Sequence, residues 1–148
     1  MNIRKASLND IETIAKFNYN LAYETENKKL DMDILRKGVE NLINDNSKGQ
    51  YYVYTIDEKI VGQIMHTYEW SDWRNKTFLW VQSVYVDKEY RQKGVFKSLY
   101  NHVKLFCDSD DSIGGIRLYV EKQNINAKST YRSLGMIECE YDMYEYEK

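Results

Sequence analysis

A chain of 148 residues with 43% hydrophobic content is too apolar to be disordered and long enough for one domain that buries about two-thirds of its unfolded surface. A net charge of −2, with no stripe of Lys or Arg, excludes general nucleic-acid binding. No apolar stretch is long enough to span a bilayer and the N-terminus lacks the apolar core of a signal peptide, so a cytoplasmic protein with no membrane partner is expected.

Residues 3–6 read as a short strand. Ser7-Leu8-Asn9-Asp10 then has the form of an N-terminal capping box, ahead of a helix with Ile11, Ile14, Ala15, Leu21 and Ala22 on one face. A second helix over about residues 33–44 would bury Leu35, Val39, Leu42 and Ile43, although Gly38 costs about 1 kcal/mol relative to alanine. From Tyr51 the texture changes to strand. Residues 51–56 and 60–69 flank Asp57-Glu58-Lys59, which makes a hairpin. A polar turn over residues 71–76 leads into 77–86, rich in aromatic and β-branched side chains. Val95, Leu99, Val103 and Phe106 recur at helical spacing; 116–120 read as a strand, 126–134 as a short helix, and 137–146 as one or two closing strands.

No proline, repeat or linker interrupts this order, so residues 1–148 form one domain of the α/β class, α+β in type, with a mixed sheet flanked by helices. Cys107 and Cys139 lack metal-ligand spacing and read as reduced thiols, and no metal is implied. The last eleven residues carry Glu138, Glu140, Asp142, Glu145 and Glu147 against one lysine. That end either attracts cationic substrates or forms the solvated face of an edge strand, and the second reading is preferred.

The segment Arg91-Gln92-Lys93-Gly94-Val95-Phe96 falls where the strand ending at Val86 gives way to the helix from Val95. A cationic, glycine-bearing turn of this kind is an anion cradle: N–H groups are free at the helix start and the helix dipole adds positive charge. It matches neither the Walker pattern nor the dinucleotide G-x-G-x-x-G. Farther along, Asn124, Ala127, Tyr131 and Leu134-Gly135-Met136 form a second ordered pattern.

In this order the two segments resemble the signatures of the GNAT superfamily of acyl-CoA-dependent N-acetyltransferases. The resemblance extends to the strand Val81-Gln82-Ser83-Val84-Tyr85-Val86 and to the opening strand and helix, so it covers essentially the whole chain. It implies a twisted, mostly antiparallel mixed sheet with about four helices and splayed fourth and fifth strands. It further implies that Val84, Tyr85 and Val86 pair with the pantetheine arm of acetyl-CoA. The pyrophosphate would lie on the amides of Gln92, Lys93, Gly94, Val95, Phe96 and Lys97, with Arg91 nearby, and Asn124 would bond the arm. Tyr131 would be the general acid, and an N–H near Val84 would stabilise the developing oxyanion.

Phe96 departs from the family, which usually has glycine or alanine there; a ring pointing away from the anion is expected. Gln82 stands where some relatives carry a basic glutamate, which leaves Glu24, Glu26, Glu69 and Asp72 as candidate proton relays. Tyr23, Glu24, Glu69, Trp70, Trp73 and Gln82 are expected to border the acceptor, with the tryptophans offering cation–π faces. The expected activity is direct acetyl transfer to a primary amine of a small molecule. A non-catalytic acyl-CoA sensor and an enzyme acting on protein or peptide amines are the alternatives, and family habit adds a homodimer through the last strands. His66 is read as a packed core residue and His102 as exposed.

Overall fold

The computed structural model describes residues 2–148 and has one five-stranded mixed sheet in the order β1-β2-β3-β4-β5. The strands are β1 (Asn2–Lys5), β2 (Gly49–Ile56), β3 (Lys59–Ser71), β4 (Lys76–Val86) and β5 (Ile113–Arg117). The helices are α1 (Ile11–Glu26), α2 (Met32–Ile43), α3 (Val95–Ser109) and α4 (Ile125–Ser133). Strands β1 to β4 pair antiparallel and β5 joins β4 in parallel.

The capping box forms as expected. Asp10 Oδ2 accepts from the Ser7 amide at 2.7 Å and receives Arg4 Nη1 at the same distance, while Arg4 Nη2 reaches Oδ1 at 2.9 Å. This fork ties β1 to the start of α1, and the Arg4 hydrogen bond holds the buried Asp10 carboxyl below its ordinary range. Asp57 and Glu58 both take left-handed backbone, closing the predicted β2–β3 hairpin with the twist its strands require.

The sheet is covered on both faces, which explains the unbroken apolar run of β2. Val95, Leu99 and Val103 of α3 pack on Tyr52, Tyr54, Ile64, Leu79 and Val81. Ile14 of α1 with Val39 and Leu42 of α2 pack on Tyr51, Val53 and Met65. Gly38 in α2 faces open space, so the helix runs through it.

Two of the expected strands are corrected. The fifth strand starts at Ile113, ahead of the expected 116–120, and includes Gly114 and Gly115. Cβ atoms there would come within 3.1 and 3.0 Å of the Phe78 ring, so these glycines mark close packing, not a turn. The closing strands over 137–146 do not form: the segment has no strand pairing and Ile137, Tyr144 and Tyr146 are 90%, 92% and 94% exposed. Alternation specifies which side chains would share a face, but a strand also needs a neighbouring edge, and none of the sheet's strands supplies one to it.

His66 lies in the core as expected. Its ring stacks on Phe106 at 5.8 Å and meets Tyr68 edge-on at 5.4 Å, with both ring nitrogens buried and unpartnered. His102, expected to be exposed, is half-buried and meets Tyr52 edge-on at 4.6 Å, because α3 lies flat on the sheet there.

Burial, helped by Lys5, lowers the His66 pKa from 6.5 to about 4. As pH falls below 6.5 the unfolded chain therefore takes up a proton that the folded chain refuses until about pH 4, so stability drops across that window. Urea unfolding at pH 7 and 4.5 should show wild type losing about 2 kcal/mol more than His66→Phe.

Candidate active site

The register between β3 and β4 slips between Gln63 and Met65: Gln63 faces Tyr85 and Met65 faces Gln82, so Ser83 and Val84 share the space opposite Ile64. Ser83 takes left-handed backbone at φ 49°. Pairing of β4 with β5 ends at Trp80–Arg117, while β4 continues to Val86. Residues 81–86 thus have no strand beside them on that side. This is the predicted splay, and it leaves peptide groups able to accept an extended ligand as an added strand would be accepted.

Beyond β4 the chain turns through Arg91 to Gly94, with Gln92 at φ 60° and Gly94 at φ 79° as the residue before α3. A Cβ at Gly94 would meet nothing within 4 Å, so its backbone conformation is what calls for glycine. The first amides of α3 have no intrahelical acceptor, and Gln92, Lys93, Gly94 and Lys97 are exposed around them. The turn fits a pyrophosphate in donor chemistry and in access.

Arg91 is held to one side. Its Nε donates to the Val86 carbonyl at 3.0 Å and its Nη2 to Glu24 Oε2 at 2.7 Å. Tyr85 donates its hydroxyl to Glu24 Oε1 at 2.8 Å, with Lys88 Nζ 3.4 Å away. Burial pushes the Glu24 carboxyl up, but the Arg91 and Tyr85 hydrogen bonds and the two cations outweigh it and hold it low. A carboxylate so committed is a weak base; it clasps the turn to the end of α1.

Asn124 caps α4: its side chain accepts from the Ala127 amide at 3.1 Å, which gives the Asn-x-x-Ala spacing a physical reason and leaves its NH2 to donate. At the other end Gly135, at φ 86°, closes the helix, with the Met136 amide on the Tyr131 carbonyl at 3.1 Å. Tyr131 on α4 is half-buried and burial raises its pKa, so the phenol is protonated at neutral pH. The Phe96 ring packs edge-on against Tyr131 at 5.8 Å and lies 6.2 Å from Tyr100. The side chain that departs from the family pattern thus joins the start of α3 to the phenol.

The residues expected around the acceptor divide. Tyr23 and Glu24 line a cleft of about 990 Å³ with Phe17, Asn20 and Tyr85. Glu69, Trp70 and Trp73 line another of about 330 Å³ with Arg117 and Tyr141. Glu69 accepts from Trp80 Nε1 at 2.8 Å and is paired with Arg117. Gln82 stands on β4 between Trp80 and Tyr85 and donates to Thr67 Oγ1 at 2.7 Å.

A buried polar group went unread in the sequence. Gln63 Nε2 donates to Asn18 Oδ1 at 2.7 Å and to the Ser83 carbonyl at 3.1 Å; Asn18 Nδ2 donates to the Tyr51 hydroxyl at 2.9 Å. The available signal was a lone amide within the apolar stretch Ile60-Val61-Gly62-Gln63-Ile64-Met65.

The acetyltransferase (GNAT) family matches this chain over residues 8–136. Among solved structures, a protein described as a possible acetyltransferase from Clostridium difficile 630 is 65% identical, with a TM-score of 0.94, covering 99% of this chain and 97% of that one. A predicted acetyltransferase with acetyl-CoA from Clostridium acetobutylicum shares the fold at a TM-score of 0.80 and 14% identity, covering 98% of this chain and 95% of that one. No curated protein matches. The chain belongs to the GNAT family of acetyltransferases. Among the described residues no helix is long and apolar enough to cross a membrane.

Gly94→Ala should lower the stability of the fold by about 1 kcal/mol, since a side chain in the left-handed region costs about that much. Urea unfolding of the two proteins checks this.

Proposed function

We propose that the protein transfers the acetyl group of acetyl-CoA directly to a primary amine of a small molecule, with Tyr131 as general acid. The observation that carries this reading is the half-buried Tyr131 phenol packed against Phe96, which lies in the first turn of the helix that follows the Gly94 turn. The amides of residues 92–97 bind the pyrophosphate, the free side of Val84, Tyr85 and Val86 lines up the pantetheine arm, and the Asn124 NH2 bonds it. The Val84 N–H receives the negative charge that grows on the thioester carbonyl oxygen. As the C–N bond forms and the C–S bond breaks, Tyr131 delivers its proton to the departing sulfur. The amine's surplus proton leaves through the water of the open cleft, because the Gln82 amide accepts none. The carboxylates Glu24 and Glu69 are already paired with guanidinium groups, so aromatic faces, Trp70 and Trp73 among them, do much of the acceptor's recognition.

A thiol-release assay across polyamines, amino acids, aminoglycosides and short peptides tests the reading; release with a peptide alone would assign the enzyme to protein amines, and CoA binding with no release at all would make it a sensor. With the preferred amine, Tyr131→Phe should lower kcat about 100-fold and leave CoA affinity within about twofold. Unchanged turnover removes Tyr131 from the chemistry.

We also propose that two chains associate through residues 137–148. The support is the alternation of Ile137, Cys139, Tyr141 and Met143 with acids, in a segment whose apolar side chains stand in solvent. Light scattering should give a dimeric mass, and Ile137→Ser with Met143→Ser should give a monomer; a monomeric wild type overturns this.

A further inference from the structure

The slip in β4 is costly. It places a serine in left-handed backbone, a conformation that disfavours any residue with a Cβ, inside a strand. Such a conformation persists only when its surroundings over-determine it, and the groups that do so are on one face. The Gln63 side chain, 0% exposed, spends both donors of its amide: one on the Ser83 carbonyl, the other direction on Asn18 of α1. Asn18 is in turn anchored to the Tyr51 hydroxyl. Residues of α1, β2 and β3 thus form a hydrogen-bonded chain that ends on one peptide group of β4. Gln63 Oε1 is left buried without a partner, so the amide is placed for its donors at the expense of its acceptor.

A trans peptide is planar, with its N–H pointing opposite to its C=O. Gln63 draws the Ser83 carbonyl toward β3 and α1. The N–H of the same peptide group belongs to Val84, and it must therefore point away from them, off the side of β4 where β5 has already parted.

We infer that Gln63, braced by Asn18 and Tyr51, is the positioning residue that aims the Val84 N–H into the gap between β4 and β5 by holding the Ser83 carbonyl. Gln63 touches no substrate. It acts through one peptide plane, and the sheet side of the protein thereby sets the direction of a donor on the cleft side. The inference rests on the reading that Val84 N–H meets the thioester carbonyl only for its effect on rate; the aim of the peptide is testable without it.

Two variants separate these points. Gln63→Met keeps the length of the side chain and removes its donors; Asn18→Ser removes the brace from α1 and leaves the sheet intact. In 15N-labelled ligand-free protein, the Val84 amide resonance should move in both variants while that of Gly94 stays in place. With acetyl-CoA, kcat should fall about 100-fold in Gln63→Met and less in Asn18→Ser, with KM for acetyl-CoA within about threefold. A purely structural role for Gln63 would lower the melting temperature without this split. A Val84 resonance at its wild-type position in either folded variant overturns the inference. A shifted Val84 with unchanged kcat upholds the positioning and overturns the assignment of Val84 to the reaction.

Discussion

Strand β4 is hydrogen-bonded to β5 only as far as Trp80–Arg117, and every feature that handles acetyl-CoA in the reading above lies beyond that point. A parallel pair held together by evenly spaced bonds has no reason to part unless one strand turns its peptides away. The slip at Ser83 and Val84 does this, with two residues occupying the space opposite Ile64. The slip is in turn held from the opposite face of the sheet by Gln63, Asn18 and Tyr51. The open edge of β4 thus lies beside a buried polar chain, in a sheet otherwise packed with apolar side chains on both faces.

Charge around the site is arranged more tightly than composition suggests. Glu24 gathers Arg91, Lys88 and the Tyr85 hydroxyl, and Glu69 gathers Arg117 and the Trp80 indole. Each acid lies on a different element from its cation, so these contacts act as struts: the first joins the end of α1 to the turn before α3, the second joins β3 to β5. The free positive character of the turn then comes chiefly from the helix start and from Lys93 and Lys97, both exposed.

Legibility followed the range of the interactions. Helices α1 to α4 and the first four strands were readable because capping residues, turn residues and apolar spacing are local. The closing strands failed because 137–146 shows a strand's alternation without an edge to join. The start of β5 was misjudged because Gly114 and Gly115 are small for the sake of Phe78, a residue distant in sequence. Both signature segments could be located, and their caps explain their spacing: Gly94 opens α3 and Asn124 opens α4. The contact of Phe96 with Tyr131 could not be located, because it joins two helices separated by β5.

By itself the sequence determined the class of fold, the order of the elements as far as α4, the family and the two turns that carry its signatures, since each rests on residues within a few positions of one another. Only the tertiary structure decided which of the six residues expected at the acceptor share a cleft, that Glu24 is bound to Arg91, and that Gln63 is drawn to the Ser83 peptide. Those outcomes depend on which strands and helices come side by side and on how a register slips. Such facts are settled by packing across the whole sheet, and no local pattern records them.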